Sequence, residues 1–84
     1  MHDLHLANKI LKLILDYAKQ NNLKKVTKAE IVLGIIIEHG SEILPENLKF
    51  NIKMLAKGTL AEGLEVIVNK VKNDHWGLEE IDGE

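Results

Sequence analysis

Hydrophobic residues recur every three or four positions over the first twenty residues of the chain, which is the spacing of one face of an α-helix. Two neighbouring rows share this spacing and predict a helix over residues 3–20. The rows contain Leu4, Ala7, Leu11, Ile14 and Ala18, and beside them Leu6, Ile10, Leu13 and Tyr17. Together they cover roughly 200° of the helix surface, which is wider than the usual apolar stripe.

Residues 26–37 alternate instead between two sides and predict a strand. Lys28 and Glu30 begin one side, and the other side contains Thr27, Ala29, Ile31, Leu33 and Ile35. Both sides become apolar from Val32 onward, which is typical of a strand that is covered on two sides. Gly34 inside the run indicates a bulge or a close backbone approach. Residues 38–42 are predicted to form a loop.

A second helix is predicted to begin at Pro45, because proline lacks an N–H that the first helical turn leaves unpaired. Its apolar row consists of Leu44, Leu48, Ile52 and Leu55, with Phe50 and Met54 on the flank. Gly58 is placed to cap its carboxyl end. The motif GTLAEG follows at residues 58–63. It lacks the lysine and the length of a phosphate-binding P-loop, so we interpret it as a tight connection into the next strand.

Residues 64–71 and 76–82 complete the pattern as two further strands, joined by a turn at residues 73–75. The order of elements is α-β-α-β-β. A strand–helix–strand unit predicts that the first two strands are parallel, and the tight turn makes the third antiparallel to the second. The charged residues of this third strand suit a position at the edge of the sheet. We therefore predict an α+β fold with two helices packed on a small three-stranded mixed sheet.

Composition excludes several classes of function. The 84 residues correspond to one domain, residues 1–84, and the chain has no cysteine, which excludes disulfides and thiolate metal sites. Every cation is a lysine, the net charge is -2, and no basic stripe indicates nucleic-acid binding. No apolar run reaches the roughly 20 residues of a membrane span. The absence of a catalytic triad, a phosphate loop or a spaced carboxylate pair argues against an enzyme, and a cytoplasmic location is expected.

His2 is the first candidate for chemistry. A bulky second residue disfavours removal of Met1, so the Met1 amine, the His2 backbone nitrogen and the His2 imidazole can chelate one metal ion. This nitrogen-rich set suits Ni²⁺ or Cu²⁺ better than tetrahedral Zn²⁺, and Asp3 can add an oxygen or a backbone nitrogen. The alternative is a frayed terminus. His5, His39 and His75 are weaker candidates, since surface histidines are usually solvated.

The chain resembles the hydrogenase/urease nickel-maturation chaperones of the HypA/HybF family. MHDLHLANKILKLIL resembles the family's Met-His-Glu-Leu-x-x-Ala opening, and VTKAEIVLG resembles its first strand. LPENLKFNIKMLAKGTLAEGLEVIV and LEEIDGE resemble its second helix, its Gly-Thr-x-Ala-Glu-Gly turn and its last strand. These motifs occur in order over nearly the whole chain.

The resemblance implies a nickel-binding metallochaperone domain that helps deliver Ni²⁺ during maturation of a [NiFe]-hydrogenase or a related enzyme. It implies nickel ligation through His2 and adjacent backbone nitrogens, with Asp3 in place of the family's glutamate. The resemblance further implies two partners, a maturation GTPase and the precursor of a hydrogenase large subunit. Zinc is not expected, because the family's zinc lobe is built on cysteine pairs and is replaced here by a short turn at residues 72–75.

A second interpretation remains open. The same fold can act as a metal-free module that docks a maturation partner or forms a homodimer. The surfaces for this would be the broad apolar face of the first helix and the segment Ile35-Ile36-Ile37, which is otherwise predicted to be core. The stretch from Ile35 to Leu44 is about four residues longer than is usual in the family and adds His39.

Overall fold

The computed structural model describes the backbone of residues 2–38 and 40–84, and the side chains of residues 4–37 and 40–84. Within these residues the predicted α+β architecture is confirmed, with two helices against a three-stranded mixed sheet. A two-stranded hairpin is added to it. The elements are α1 (His2–Gln20), β1 (Val26–Leu33), β2 (Ile37–Glu38), β3 (Ser41–Glu42), α2 (Pro45–Leu55), β4 (Glu65–Lys70) and β5 (Trp76–Gly83).

The main sheet has the order β4-β1-β5, so β1 is its central strand. β4 runs parallel to β1, as predicted, with Ala29 opposite Val66. β5 occupies an edge, as predicted, but it pairs antiparallel with β1 rather than with β4, and Glu30 lies opposite Glu80. The prediction that β4 and β5 are joined as a hairpin is therefore wrong. The connection instead crosses the end of β1.

Gly34 is the residue over which this connection crosses. Its N–H donates to the carbonyl oxygen of His75 at 2.7 Å, and the N–H of Ile35 donates to that of Asn73 at 2.6 Å. A Cβ at position 34 would collide with both of these carbonyl oxygens. The close backbone approach predicted for this glycine is confirmed. This approach also explains why β1 ends at Leu33, because the N–H groups of the next two residues donate to the crossing segment.

The segment after Gly34 corrects two expectations. Residues 35–37 do not extend β1, and Ile35 and Ile37 are exposed, Ile37 by 64%. Residues 38–42 are not a plain loop, since β2 and β3 pair as a short antiparallel hairpin. The hairpin forms because Ile36 and Ile43 fix its base: the N–H of Ile43 donates to the carbonyl oxygen of Ile36 at 2.9 Å, and the Ile43 side chain is buried.

Thr27 is a further correction. Its side chain is exposed rather than on the buried side of β1, because the pairing of β1 with β5 shifts register between Val26 and Lys28. The extra residue turns outward, and the Thr27 hydroxyl donates to the carbonyl oxygen of Asp82 at 3.2 Å. Bulges of this kind turn side chains in ways that alternation does not reveal.

The core lies between the helices and the inner side of the sheet. The first apolar row of α1 is buried except for Leu4, which is partly covered, whereas in the second row Leu13 is only half-buried and Tyr17 is exposed. The fully buried side chains that fill this layer are Ile10, Ile14, Val26, Ile31, Leu33, Ile43, Leu48, Ile52, Leu64 and Val66. Each such side chain contributes about 1.5–3 kcal/mol by leaving water.

The motif GTLAEG forms a self-contained turn after α2, in agreement with its interpretation as a connection. The Thr59 hydroxyl donates to the carbonyl oxygen of Ala56 at 2.6 Å and accepts from the N–H of Ala61 at 3.1 Å. The N–H of Gly58, which has a φ of 83°, donates to the Glu62 carboxylate at 2.7 Å. Threonine and glutamate side chains therefore satisfy the backbone where the helix stops.

Candidate metal centre

Helix α1 begins at His2, one residue earlier than the apolar pattern predicts. Met1 lies outside the described residues, and so do the side chains of His2 and Asp3. The backbone of His2 and Asp3 belongs to the first turn of α1, where N–H groups have no carbonyl four residues earlier to bond. The amides of the predicted chelate are thus free of intrahelical hydrogen bonds.

The amino end of a helix has its own electrostatic character. The aligned peptide dipoles place about half a positive charge there, which opposes a bare cation and favours an anion. A metal ion is compatible with this position when it binds through deprotonated amide nitrogens, because each of them brings a negative charge. Among possible modes of metal binding, one through deprotonated amides, which is the mode predicted from the sequence, suits the start of a helix.

His5 follows one helical turn after His2. It is exposed and borders a shallow pocket that Leu4, Asn8 and Leu55 also line. Residues three apart on a helix are neighbours on its surface, so the backbone geometry is compatible with an approach of His5 to position 2.

His39 and His75 belong to other elements. His39 lies outside the described residues. His75 is exposed in the segment that crosses Gly34, with its Nε2 3.4 Å from the Asp74 carboxylate, and both side chains are 83% exposed. Among the described residues, no three histidine, aspartate or glutamate side chains are grouped as metal ligands.

A cluster of charges on the outer side of the sheet is a feature that sequence reasoning missed. Lys28 forms an ion pair with Asp82 at 3.3 Å. Its pKa is raised above 10.5, first by the hydrogen bond and charge of Asp82 and then by Glu80 and Glu30. Alternating acids in LEEIDGE are a signal for this cluster, but the register shift between Glu30 and Ile31 decides which acids face Lys28.

Neither helix of the described residues combines the length and the apolar character that crossing a membrane requires. This observation concerns only the part of the chain that the structure describes.

The comparisons with known proteins agree with one another. The family model HypA, described as hydrogenase/urease nickel incorporation metallochaperone, matches residues 1–77. Hydrogenase maturation factor HypA of Pyrococcus furiosus is 36% identical over 89 residues, covering 96% of this chain and 61% of that protein. Its counterpart in Thermococcus onnurineus is 34% identical, covering 99% and 63%, and that of Aquifex aeolicus is 35% identical, covering 81% and 56%. The chain spans about three fifths of the length of the curated relatives it matches.

Proposed function

Because the chain belongs to the HypA family of hydrogenase/urease nickel-incorporation metallochaperones, we propose that it binds Ni²⁺ as cargo at its amino terminus. In this proposal it helps deliver the ion during maturation of a [NiFe]-hydrogenase or a related nickel enzyme. The chain is a short form of the family, since it has no cysteine with which to build a zinc lobe. A structural zinc ion has no place in the proposal.

The proposed ligands are the Met1 amine, the His2 imidazole and the backbone nitrogens of His2 and Asp3, with the Asp3 carboxylate as an additional oxygen donor. The main support is that α1 begins at His2. Unbonded first-turn amides can give up their protons without breaking the helix ladder. Two deprotonated amides balance the charge of Ni²⁺, which reconciles a cation with the positive end of a helix dipole.

This chemistry makes nickel binding strongly pH-dependent. Ni²⁺ must displace protons from the amine, the imidazole and the amides, so its affinity falls as pH decreases. A chaperone needs such a site, because its cargo must leave as well as enter. Protonation of the same nitrogens, or their replacement by ligands of a recipient, would release the ion.

The test is calorimetric titration of Ni²⁺ into the parent chain, His2→Ala and a variant whose amino terminus is extended by Gly-Ser. We expect both changes to lower nickel affinity by more than about tenfold, since each removes one donor of the chelate. His75→Ala and His39→Ala serve as matched controls and should keep parent affinity. Equal binding by His2→Ala and the parent would overturn the proposal.

Delivery requires partners, and we propose a maturation GTPase and the precursor of a hydrogenase large subunit in these roles. The support is membership of a family whose relatives are hydrogenase maturation factors. Transfer of ⁶³Ni from the loaded chain to a purified precursor, with and without the GTPase, would test this step. Nickel that stays on the chain under both conditions would contradict it.

A metal-free interaction module is the second candidate, and the exposure of Ile35 and Ile37, two positions apart in one segment, favours it. Large apolar side chains at the surface mark docking sites when they are grouped. This function predicts partner binding or homodimerisation that is identical with and without Ni²⁺. The His2→Ala variant separates the two functions, because only the nickel function depends on that imidazole.

A further inference from the structure

Helix α2 and the turn after it expose three lysines beside two apolar side chains. Lys49 and Lys53 lie on α2, and each is followed by an exposed apolar residue, Phe50 (66%) and Met54 (41%), while Lys57 comes two residues after the helix. We call these five residues the basic face. Leu48 and Ile52 point into the core. Phe50 and Met54, two positions after each of them, lie on the opposite side of the helix, whereas Lys49 lies on its flank beside Val68 of β4.

The basic face borders a groove between α2 and the turn that follows it. The groove is lined from α2 by Phe50, Lys53 and Met54, and from the turn by Lys57, Glu62 and Gly63. The carboxylate of Glu62 accepts a hydrogen bond from the N–H of Gly58, so it is already engaged within the turn. The groove therefore offers a docking segment apolar contacts and lysine charges.

The outer side of the sheet has the opposite charge. Register places Glu30 directly opposite Glu80, and Lys28 between Glu65 and Asp82. We call the four carboxylates the acidic face, with Lys28 as the cation within it. Like charges directly opposite each other destabilise a sheet, so this arrangement is a cost to the isolated domain.

The acidic face also has an apolar centre. Val32 and Ile67 lie on the same side of the sheet and are only half-buried. Gly77 lies opposite Val32, and a Cβ there would meet only the Val32 side chain, at 3.6 Å. The missing side chain leaves a depression beside Val32 that an aromatic ring can fill. Both helices pack on the other side of the sheet, where the buried residues lie.

Only one arrangement of two copies places opposite charges against each other. If the helix layers of two copies met, lysines would face lysines, and if the outer sides of two sheets met, carboxylates would face carboxylates. From this we propose that the basic face of one copy docks on the acidic face of a second copy, with Phe50 against Val32 and Ile67. Such a contact is heterologous, since it uses two different surfaces of the same chain.

The proposed contact adds to the nickel function and does not rest on it, because neither face includes residues 1–3. It relieves the repulsion between Glu30 and Glu80 by bringing lysines near them. Its strength depends on salt, since charges at the rim of an interface are screened as the Debye length shortens.

The experiment is sedimentation and light scattering of the metal-free chain across a concentration series, at about 20 mM and about 500 mM NaCl, where the Debye length falls from roughly 20 Å to roughly 4 Å. We expect reversible association at low salt that high salt suppresses. Lys53→Gln/Lys57→Gln and Glu30→Gln/Glu80→Gln should each raise the apparent dissociation constant about tenfold. Phe50→Ser should weaken association as well.

Two control pairs match these changes in net charge. Lys24→Gln/Lys25→Gln and Asp16→Asn/Asp74→Asn lie outside both faces and should associate like the parent. Thermal unfolding of every variant checks folding, because Glu30 is half-buried while the other changed positions are exposed.

Mixing gives the decisive result. The lysine variant keeps its acidic face and the glutamate variant keeps its basic face, so an equimolar mixture should form heterodimers and grow no further. A chain that stays monomeric at low salt overturns the proposal, and so does association that the two face variants leave unchanged. If these experiments fail while nickel binding is intact, only the proposed contact is contradicted. If His2→Ala binds Ni²⁺ as well as the parent does, only the chaperone function is contradicted.

Discussion

The N–H of Gly34 donates a hydrogen bond to the carbonyl oxygen of His75, 2.7 Å away, and this contact joins the end of β1 to the start of β5. The neighbouring bond from Ile35 to Asn73 makes it a two-point attachment. The two backbone segments lie so close together here that a side chain at position 34 would collide with the carbonyl oxygens of Asn73 and His75. The attachment determines both where β1 stops and which strand β5 pairs with.

Gly34→Ala is therefore expected to lower the free energy of unfolding by about 2–4 kcal/mol, because the added methyl group overlaps two carbonyl oxygens that cannot move independently. Urea unfolding followed by circular dichroism would measure this loss. Gly77→Ala is the matched control, since its Cβ has room, and it should change stability by less than about 1 kcal/mol. Equal losses in the two variants would contradict the assignment.

Lys70 attaches the hairpin of β2 and β3 to the main sheet. Its ammonium group donates to the carbonyl oxygen of Gly34 at 2.9 Å and forms an ion pair with Glu42. Because both contacts are partly exposed, Lys70→Met should cost only about 1 kcal/mol of global stability. Hydrogen exchange of the Ile43 amide, which donates to Ile36 at the base of the hairpin, should nevertheless accelerate as the hairpin opens locally. Lys72→Met should leave its exchange unchanged.

The turn after α2 depends on the Thr59 hydroxyl, which donates to Ala56 and accepts from Ala61. Thr59→Val keeps the shape but leaves both backbone groups without this partner, so unfolding free energy should fall by about 1–2 kcal/mol. Thr27→Val removes an exposed hydroxyl with one hydrogen bond and should cost less. Chemical denaturation of both variants gives the comparison, and a larger loss for Thr27→Val would refute the assigned role of Thr59.

Lys28 links stability to high pH. The hydrogen bond and charge of Asp82 raise its pKa above 10.5, so the folded state holds this proton more tightly than the unfolded state does. The resulting contribution to stability is fully present below pH 10.5 and is lost as pH rises through the folded pKa. NMR titration of the Lys28 side chain should show a lower pKa in Asp82→Asn. The control Glu79→Gln removes a carboxylate at the register shift and should leave the Lys28 pKa as in the parent.

Periodicity predicted the elements whose side chains alternate regularly between core and solvent. The burial of Leu48 and Ile52 on α2, and the parallel pairing of β1 with β4, follow from spacing and the crossover rule. These properties depend on neighbours in sequence and on the need to cover apolar surface. The prediction failed where distant backbone groups compete for partners.

Two errors show this competition. β1 stops at Leu33 because Asn73 and His75 use the next amides, although Ile35 and Ile37 would suit a longer strand. Thr27 turns outward because of a register shift that depends on β5. The candidate nickel chelate is different, since its proposed donors are consecutive in sequence. The sequence alone is enough to name these residues. The structure adds that α1 begins at His2, which leaves their amides without intrahelical hydrogen bonds.

The segment that crosses Gly34 has a consequence for engineering. β4 and β5 flank β1, so the two ends of this connection are separated by about 10 Å, twice the distance between adjacent strands. A foreign domain whose two termini lie close together could be inserted between Lys72 and Asn73, because this point keeps Asn73 and His75 in their contacts with the end of β1. The graft would then leave the fold at the end of the sheet, while the hydrogen bonds of Gly34 and Ile35 stay in place. The short crossover is therefore a natural place to build chimeras of this fold.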